Sequence, residues 1–252
     1  MDLTTLRREQ NYMMNQWITS RPIAHRGYHY QGILENSKDS FLLAIKYRLN
    51  IECDVRLTKD NIVVVFHDND LLRLFNVERK VSDLTLIEMK QISDNQILSL
   101  QELLDLVQGQ VGLVIEIKTE SIFQSFTEKV ITVMDNYNHA FALKSFNMFS
   151  LLRIQRLRPD FLIGKVLQKD KSLKNFFNQV AGFFVTEDFN SISYQRPVTR
   201  KRSVPQLNWT ITSLEDFKKV KVPIFEQIPE DELLTIYNPD LYELLDEPDS
   251  LE

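Results

Sequence analysis

An α/β fold of the (β/α)8 TIM-barrel class is predicted by three features of the sequence. Strand-like and helix-like runs alternate from Pro22 onward, eight strand candidates fall in that rhythm, and two histidines stand at strand ends near acidic strand residues. An open doubly wound sheet is the competing architecture. The length of 252 residues suits one such domain, so residues 1–252 are read as a single barrel.

The first helix is predicted over Leu3–Trp17, with Leu6, Met13, Met14 and Trp17 as its apolar members, packing across one end of the domain. The run "IAHRG" is the first strand. "NSKDSFLLAIKYR" follows as a helix, capped by Asn36 or Ser37 and burying Phe41, Leu42, Ala44 and Ile45. "IECDVRLT" is the second strand. "TKDN" reads as a tight turn, because Asp60-Asn61 tolerates left-handed backbone, and "IVVVFHD" is then an extra hairpin arm. The chain from Leu71 to Val107 reads as helix-rich. The remaining strands are "VGLVIEIK", "AFALKSF", "FLIGKVLQ", "GFFVTED", "LNWTIT" and "PIFEQI", most of them separated by helical stretches. The acidic segment from about residue 237 is expected to be a solvated tail.

Composition narrows the function. A formal net charge of -5 supplies no basic footprint for nucleic acid, and Gly-rich nucleotide loops are absent from the sequence. Cys53 is the single cysteine and cannot form an internal disulfide. With neither a signal-peptide core nor an apolar run long enough to span a bilayer, a cytoplasmic protein is expected. Oligomeric state is left open.

Strand alternation puts Glu52, Asp54 and Arg56 on one face of the second strand and Ile51, Cys53, Val55 and Leu57 on the other. The same parity joins Glu116 to Lys118. Barrel strands are covered on both faces, so the three carboxylates must be paired, protonated or bound to a cation. Two readings stand: an open all-oxygen site for Mg2+ or Ca2+, or an ion-pair network with Arg56 and Lys118. His25 and His67 end strand-like runs, where active sites of barrels are built, and two imidazoles can divide general-acid and general-base work. His29 and His139 lack that placement and are read as peripheral. Arg26 offers a planar fork for phosphate oxygens and Lys118 a second positive charge, so that with a metal these residues describe a phosphate-ester site.

In order along the chain, "HRG" then "EN", "IECDVRLTKDN", "VVVFHD", "LSLQELL", "IEIK", "KSF" and "NWTIT" resemble the motifs of the glycerophosphodiester phosphodiesterase family. The resemblance is close over residues 22–72 and 98–118 and thinner afterwards. It implies a barrel hydrolase of lipid and glycerol metabolism that converts a small-molecule glycerophosphodiester to glycerol 3-phosphate and an alcohol with a divalent cation, Ca2+ or Mg2+. It also implies His25 and His67 as the acid–base pair, Arg26 as phosphate clamp, and Glu52, Asp54 and Glu116 as metal ligands. Glu35, Lys118, Phe146 and Trp209 would complete the substrate site. A lysophospholipase D-like enzyme, a cyclising lyase and a non-catalytic phosphodiester-binding barrel are the alternatives. Three departures stand out: "VKVPIFEQIPED" replaces the family's last-strand motif, the segment after His67 is compact, and a basic cluster occupies Arg196–Arg202.

Overall fold

The computed structural model describes residues 16–118, 125–167, 176–195, 197 and 204–242. Most of the predicted first helix, the basic cluster apart from Pro197, and the tail beyond residue 242 lie outside the described residues.

Eight parallel strands close into a barrel. They are β1 (Ile23–His25), β2 (Asn50–Leu57), β6 (Leu113–Ile117), β7 (Phe141–Ser145), β8 (Ile163–Leu167), β9 (Phe189–Ser193), β10 (Gln206–Ile211) and β11 (Pro223–Phe225). Closure comes from β11 pairing with β1, Ile23 opposite Ile224 and Ala24 opposite Phe225. The divergent segment "PIFEQI" therefore supplies the eighth strand. Pro223 stands at its first residue, where a missing backbone donor is tolerated.

Among the described residues, three further strands decorate the barrel. β3 (Val63–Val65) folds back antiparallel on β2 through the predicted turn, in which Asn61 adopts φ 63°, and β4 (Asp70–Leu71) pairs with β5 (Val77–Lys80) in a small separate sheet. The region read as helix-rich contains a hairpin as well as helices α3 (Leu72–Phe75), α4 (Leu86–Ile92) and α5 (Leu100–Val107).

The other helices are α1 (Trp17–Ser20), α2 (Lys38–Lys46), α6 (Phe126–Met134), α7 (Met148–Leu157), α8 (Phe176–Phe184), α9 (Leu214–Phe217) and α10 (Glu230–Leu233). Ser37 caps α2 through a reciprocal bond pattern with Ser40, and Thr85–Glu88 and Ser99–Glu102 do the same for α4 and α5.

Outward-facing Ile51, Cys53, Val55, Leu113, Ile115, Ile117 and Leu143 pack against the helices, as strand parity requires. Inside the barrel, Ile23, Val114, Ala142, Phe189, Leu207 and Ile224 form an apolar floor, with Ile18 and Trp17 packed against it. A Cβ on Gly112 would meet the Trp17 ring at 2.1 Å, so that close approach requires glycine. Trp17 and Ile18 thus pack against the floor, while the rest of the helix expected over Leu3–Trp17 lies outside the described residues.

One strand was misplaced by the sequence reading. "GFFVTED" is the end of helix α8 and a connecting loop, and the strand is the next segment, Phe189–Ser193. Phe183 and Phe184 are exposed, so their aromatic run reflects neither a strand nor a core position.

Candidate active site

The apolar floor ends one residue pair up from the N-terminal ends of the strands, and above it the barrel interior turns ionic. Register places the key side chains side by side: His25 opposite Glu52, Asp54 opposite Glu116, and Glu116 opposite Lys144. Glu52, Asp54 and Glu116 are all buried, with one oxygen from each lying within 4.8 Å of the others.

The ion-pair reading of these carboxylates holds in part. They do form an ion-pair network, but its cations are Lys118, Lys144 and Arg26. Lys118 Nζ lies 2.5 Å from Glu116 and 3.1 Å from Asp54; Lys144 Nζ lies 2.9 Å from Glu52 and 3.1 Å from Glu116; Arg26 Nε lies 3.4 Å from Asp54. Arg56 donates instead to the backbone oxygen of His67. Burial opposes ionisation of Asp54, but Lys118 and then Arg26 outweigh it and hold the carboxyl well below the usual range. Glu116 is lowered against the same burial by Lys118 and Lys144.

The cluster nonetheless fits a hard divalent cation. Glu52 Oε1 and Glu116 Oε1 are buried and lack a hydrogen bond of ordinary geometry, their charge being balanced by the Lys144 ammonium at 2.9 Å and the Lys118 ammonium at 2.5 Å. Three oxygen donors converging from two adjacent strands suit Mg2+ or Ca2+ better than a softer metal.

Arg26 leaves the end of β1 in left-handed backbone, φ 56°, followed by Gly27 at φ 78°. A Cβ at Gly27 would fall 2.3 Å from Ser40 Oγ, so the "HRG" turn depends on glycine for space as well as for dihedral angle. The Arg26 backbone N–H donates to Glu52 Oε2 at 3.2 Å, and the Arg26 guanidinium donates to Glu35 Oε1 at 2.8 Å. Glu35 in turn accepts two bonds from Arg73, which also donates to Asp68 Oδ2 at 2.6 Å. Glu35 is thus a brace between two arginines. Burial opposes its ionisation, but Arg73 and Arg26 hold its carboxyl below the ordinary value. The neighbouring Asn36, also left-handed, donates through Nδ2 to Asp54 Oδ2 at 3.0 Å.

The two histidines are each held by a carboxylate through Nδ1. His25 meets Glu226 Oε2 at 2.6 Å and His67 meets Asp68 Oδ1 at 2.7 Å. An ionised carboxylate only accepts, so the neutral form of each imidazole carries its proton on Nδ1 and its lone pair on Nε2. His25 Nε2 faces the cluster, 3.8 Å from Glu52 Oε2. His67 follows the antiparallel arm β3, the hairpin arm expected from the sequence, and so does not end a parallel strand of the barrel as His25 does. Burial lowers the affinity of its imidazole for a proton, as do Lys118 and Arg26, against the pull of Asp54 and Asp68.

Phe146 and Trp209 complete the rim, packed edge to face at 5.9 Å, with Lys118 Nζ 5.9 Å from the Phe146 ring centre. The buried Trp209 indole N–H finds no hydrogen-bond partner among the described residues. All ten residues singled out from the sequence therefore lie at, or brace, one end of the barrel.

Sequence reasoning missed four contributors: Lys144, Glu226, Arg73 and Asp68. Lys144 shares the parity of Ala142, which was a usable signal; Asp68 directly follows His67. Glu226 lay in the segment that departs from the family pattern, and Arg73 in the compact insertion. His29 is less peripheral than expected: it is buried, with Nε2 3.7 Å from Glu226 Oε2. His139 packs at the far side on Tyr137, ring centres 5.1 Å apart.

Residues 25–162 match the model of the glycerophosphoryl diester phosphodiesterase family. A glycerophosphodiester phosphodiesterase from Caldanaerobacter subterraneus subsp. tengcongensis is 30% identical over 219 residues, covering 79% of this chain and 88% of that one. Among solved structures, a glycerophosphodiester phosphodiesterase from Thermotoga maritima superposes with a TM-score of 0.64 at 25% identity, covering 88% of this chain and 96% of that one. A phosphodiesterase from Oleispira antarctica, solved in complex with the product sn-glycerol-3-phosphate, gives a TM-score of 0.70 at 22% identity over 86% of this chain and 96% of its own. The last of these speaks for the barrel fold.

Proposed function

The chain belongs to the glycerophosphoryl diester phosphodiesterase family, and on that premise we propose that it hydrolyses a small glycerophosphodiester to glycerol 3-phosphate and an alcohol, with His25 and His67 as acid–base pair. The observation that carries this reading is the pair of carboxylate-held imidazoles at the rim of a buried site of three carboxylates and three cations. A binding module has no use for two oriented imidazoles.

Glu52, Asp54 and Glu116 would hold a divalent cation, Ca2+ or Mg2+, whose contribution is Lewis-acid polarisation of a non-bridging phosphate oxygen. Arg26, braced by Glu35, grips the phosphate through its guanidinium, and Lys118 takes up charge developing on phosphorus oxygens. One imidazole Nε2 removes a proton from the attacking oxygen, and the other, once protonated, delivers one to the leaving alcohol. The attacking oxygen is either water or the glycerol 2-hydroxyl, the latter giving a cyclic phosphate first. Phe146 and Trp209 supply the apolar wall for the glycerol carbons.

Among the described residues no helix is long and apolar enough to cross a membrane. A cytoplasmic site of action, and the reading of residues 1–252 as one domain, belong to the proposal; the first rests on the single buried Cys53, which asks for no oxidising compartment.

Incubation with glycerophosphocholine, glycerophosphoethanolamine and glycerophosphoglycerol, each with Ca2+ or Mg2+, tests the function. The proposal expects glycerol 3-phosphate from at least one diester and none after chelation. Intact diesters under every cation condition would overturn it.

A further inference from the structure

Lys144 is the buried residue of the site that the chemistry above does not use. It projects from β7 into the barrel interior, its side chain 2% exposed, and its ammonium bridges Glu52 Oε1 at 2.9 Å and Glu116 Oε2 at 3.1 Å. Those are two of the three residues that would hold the divalent cation. Lys118 spans the other edge, between Glu116 and Asp54, and Arg26 approaches Asp54 from outside. Three carboxylates thus meet three fixed positive charges before any ion arrives.

We propose that Lys144 is a resident cation that weakens divalent-metal binding in this site, setting a low affinity that the other carboxylate contacts alone would not produce. The inference rests on reading Glu52, Asp54 and Glu116 as the metal ligands.

The physical ground is charge balance in a closed space. A divalent ion bound among Glu52, Asp54 and Glu116 lies close to the Lys144 ammonium, and like charges at such separations repel strongly where water is excluded. Lys144 has nowhere to go: it starts from the strand beside β6, opposite Glu116 in register, and both of its partners are themselves buried. The phosphodiester, bringing negative charge, relieves the excess, so metal and substrate favour each other's binding in the presence of Lys144.

The test uses the full chain with Ca2+ and Mg2+ alone, free of substrate. Isothermal titration and thermal melting compare the wild type with Lys144→Gln and Lys144→Met. Removing the ammonium tightens Ca2+ or Mg2+ binding by about tenfold or more. In chelator the variants melt below the wild type, because Glu52 and Glu116 lose a partner, and added cation raises their melting temperature further than it raises that of the wild type. Should a variant be recovered only in the presence of Ca2+, elemental analysis after gel filtration in metal-free buffer replaces the titration. One retained ion per chain supports the proposal, and none overturns it. Equal or weaker affinity in the variants also overturns it, while leaving the metal site itself in place. If neither wild type nor variants bind either cation, the metal-site reading falls together with the inference.

Discussion

His25 Nδ1 and Glu226 Oε2 lie 2.6 Å apart although 201 residues separate them in the chain. The contact joins the first barrel strand to the segment after the last, so closing the barrel also sets the tautomer of the candidate catalytic imidazole. Burial opposes ionisation of Glu226, but its contacts with His25 and His29 hold the carboxyl well below the ordinary range; it accepts from His25 Nδ1, while His29 Nε2 lies 3.7 Å away. Glu226→Gln keeps the shape and loses the charge. It is expected to lower kcat by about 100-fold with little change in KM, and Glu226→Asp is expected to recover part of the loss. Steady-state kinetics on a glycerophosphodiester checks both.

The His67–Asp68 pair predicts a pH profile. His67 is held below its ordinary value of 6.5, so it takes up a proton only at lower pH and remains a base through neutrality. The acid limb of kcat/KM is expected below pH 6.5. Asp68 favours the imidazolium, so Asp68→Asn moves that limb further toward acid. The stability linkage has the same sign: a depressed folded-state pKa gives stability that is fully present above 6.5 and is lost as pH falls through the folded value. A limb that moves toward alkali in Asp68→Asn would contradict the assignment.

Arg73 touches Glu35 and Asp68 together, tying the phosphate clamp to the histidine arm. Its side chain is 49% exposed, so its removal is expected to leave folding nearly unchanged while loosening the clamp. For Arg73→Ala we expect KM to rise by about tenfold with a smaller effect on kcat. Substrate titration of the folded variant is the check.

Gly27→Ala combines two penalties, a left-handed φ of 78° and a Cβ 2.3 Å from Ser40 Oγ. Destabilisation of about 2 kcal/mol is expected by chemical denaturation, with a rise in KM because Arg26 turns with the loop.

Glu52→Ala leaves Lys144 with Glu116 as its remaining partner in a site shielded from solvent. Breaking such a buried pair is expected to destabilise the chain by about 3 kcal/mol. Glu52→Gln, which keeps the shape, should lose less. Denaturant titration in chelator separates the two.

The barrel was legible because parity and rhythm are local: eight strands could be counted, and seven fall where the pattern places them. The exception, "GFFVTED", failed because an aromatic pair on the exposed end of a helix carries the same residue types as a strand. The carboxylates and histidines were legible for the same reason, as side chains at strand ends. What was not legible depends on who stands next to whom across the closed barrel. Lys144 neutralises Glu52 from two strands away, and Glu226 reaches His25 only after β11 has paired with β1. Arg73 sits on the one-turn helix α3 between β4 and β5, whose short strands leave little alternation to read.

The most direct test of the account follows a glycerophosphodiester by phosphorus NMR with wild type, His25→Ala and His67→Ala side by side, each confirmed folded and supplied with the same divalent cation. The account predicts conversion to glycerol 3-phosphate by the wild type and a loss of about 100-fold or more in each variant. Turnover undiminished in both variants would contradict it.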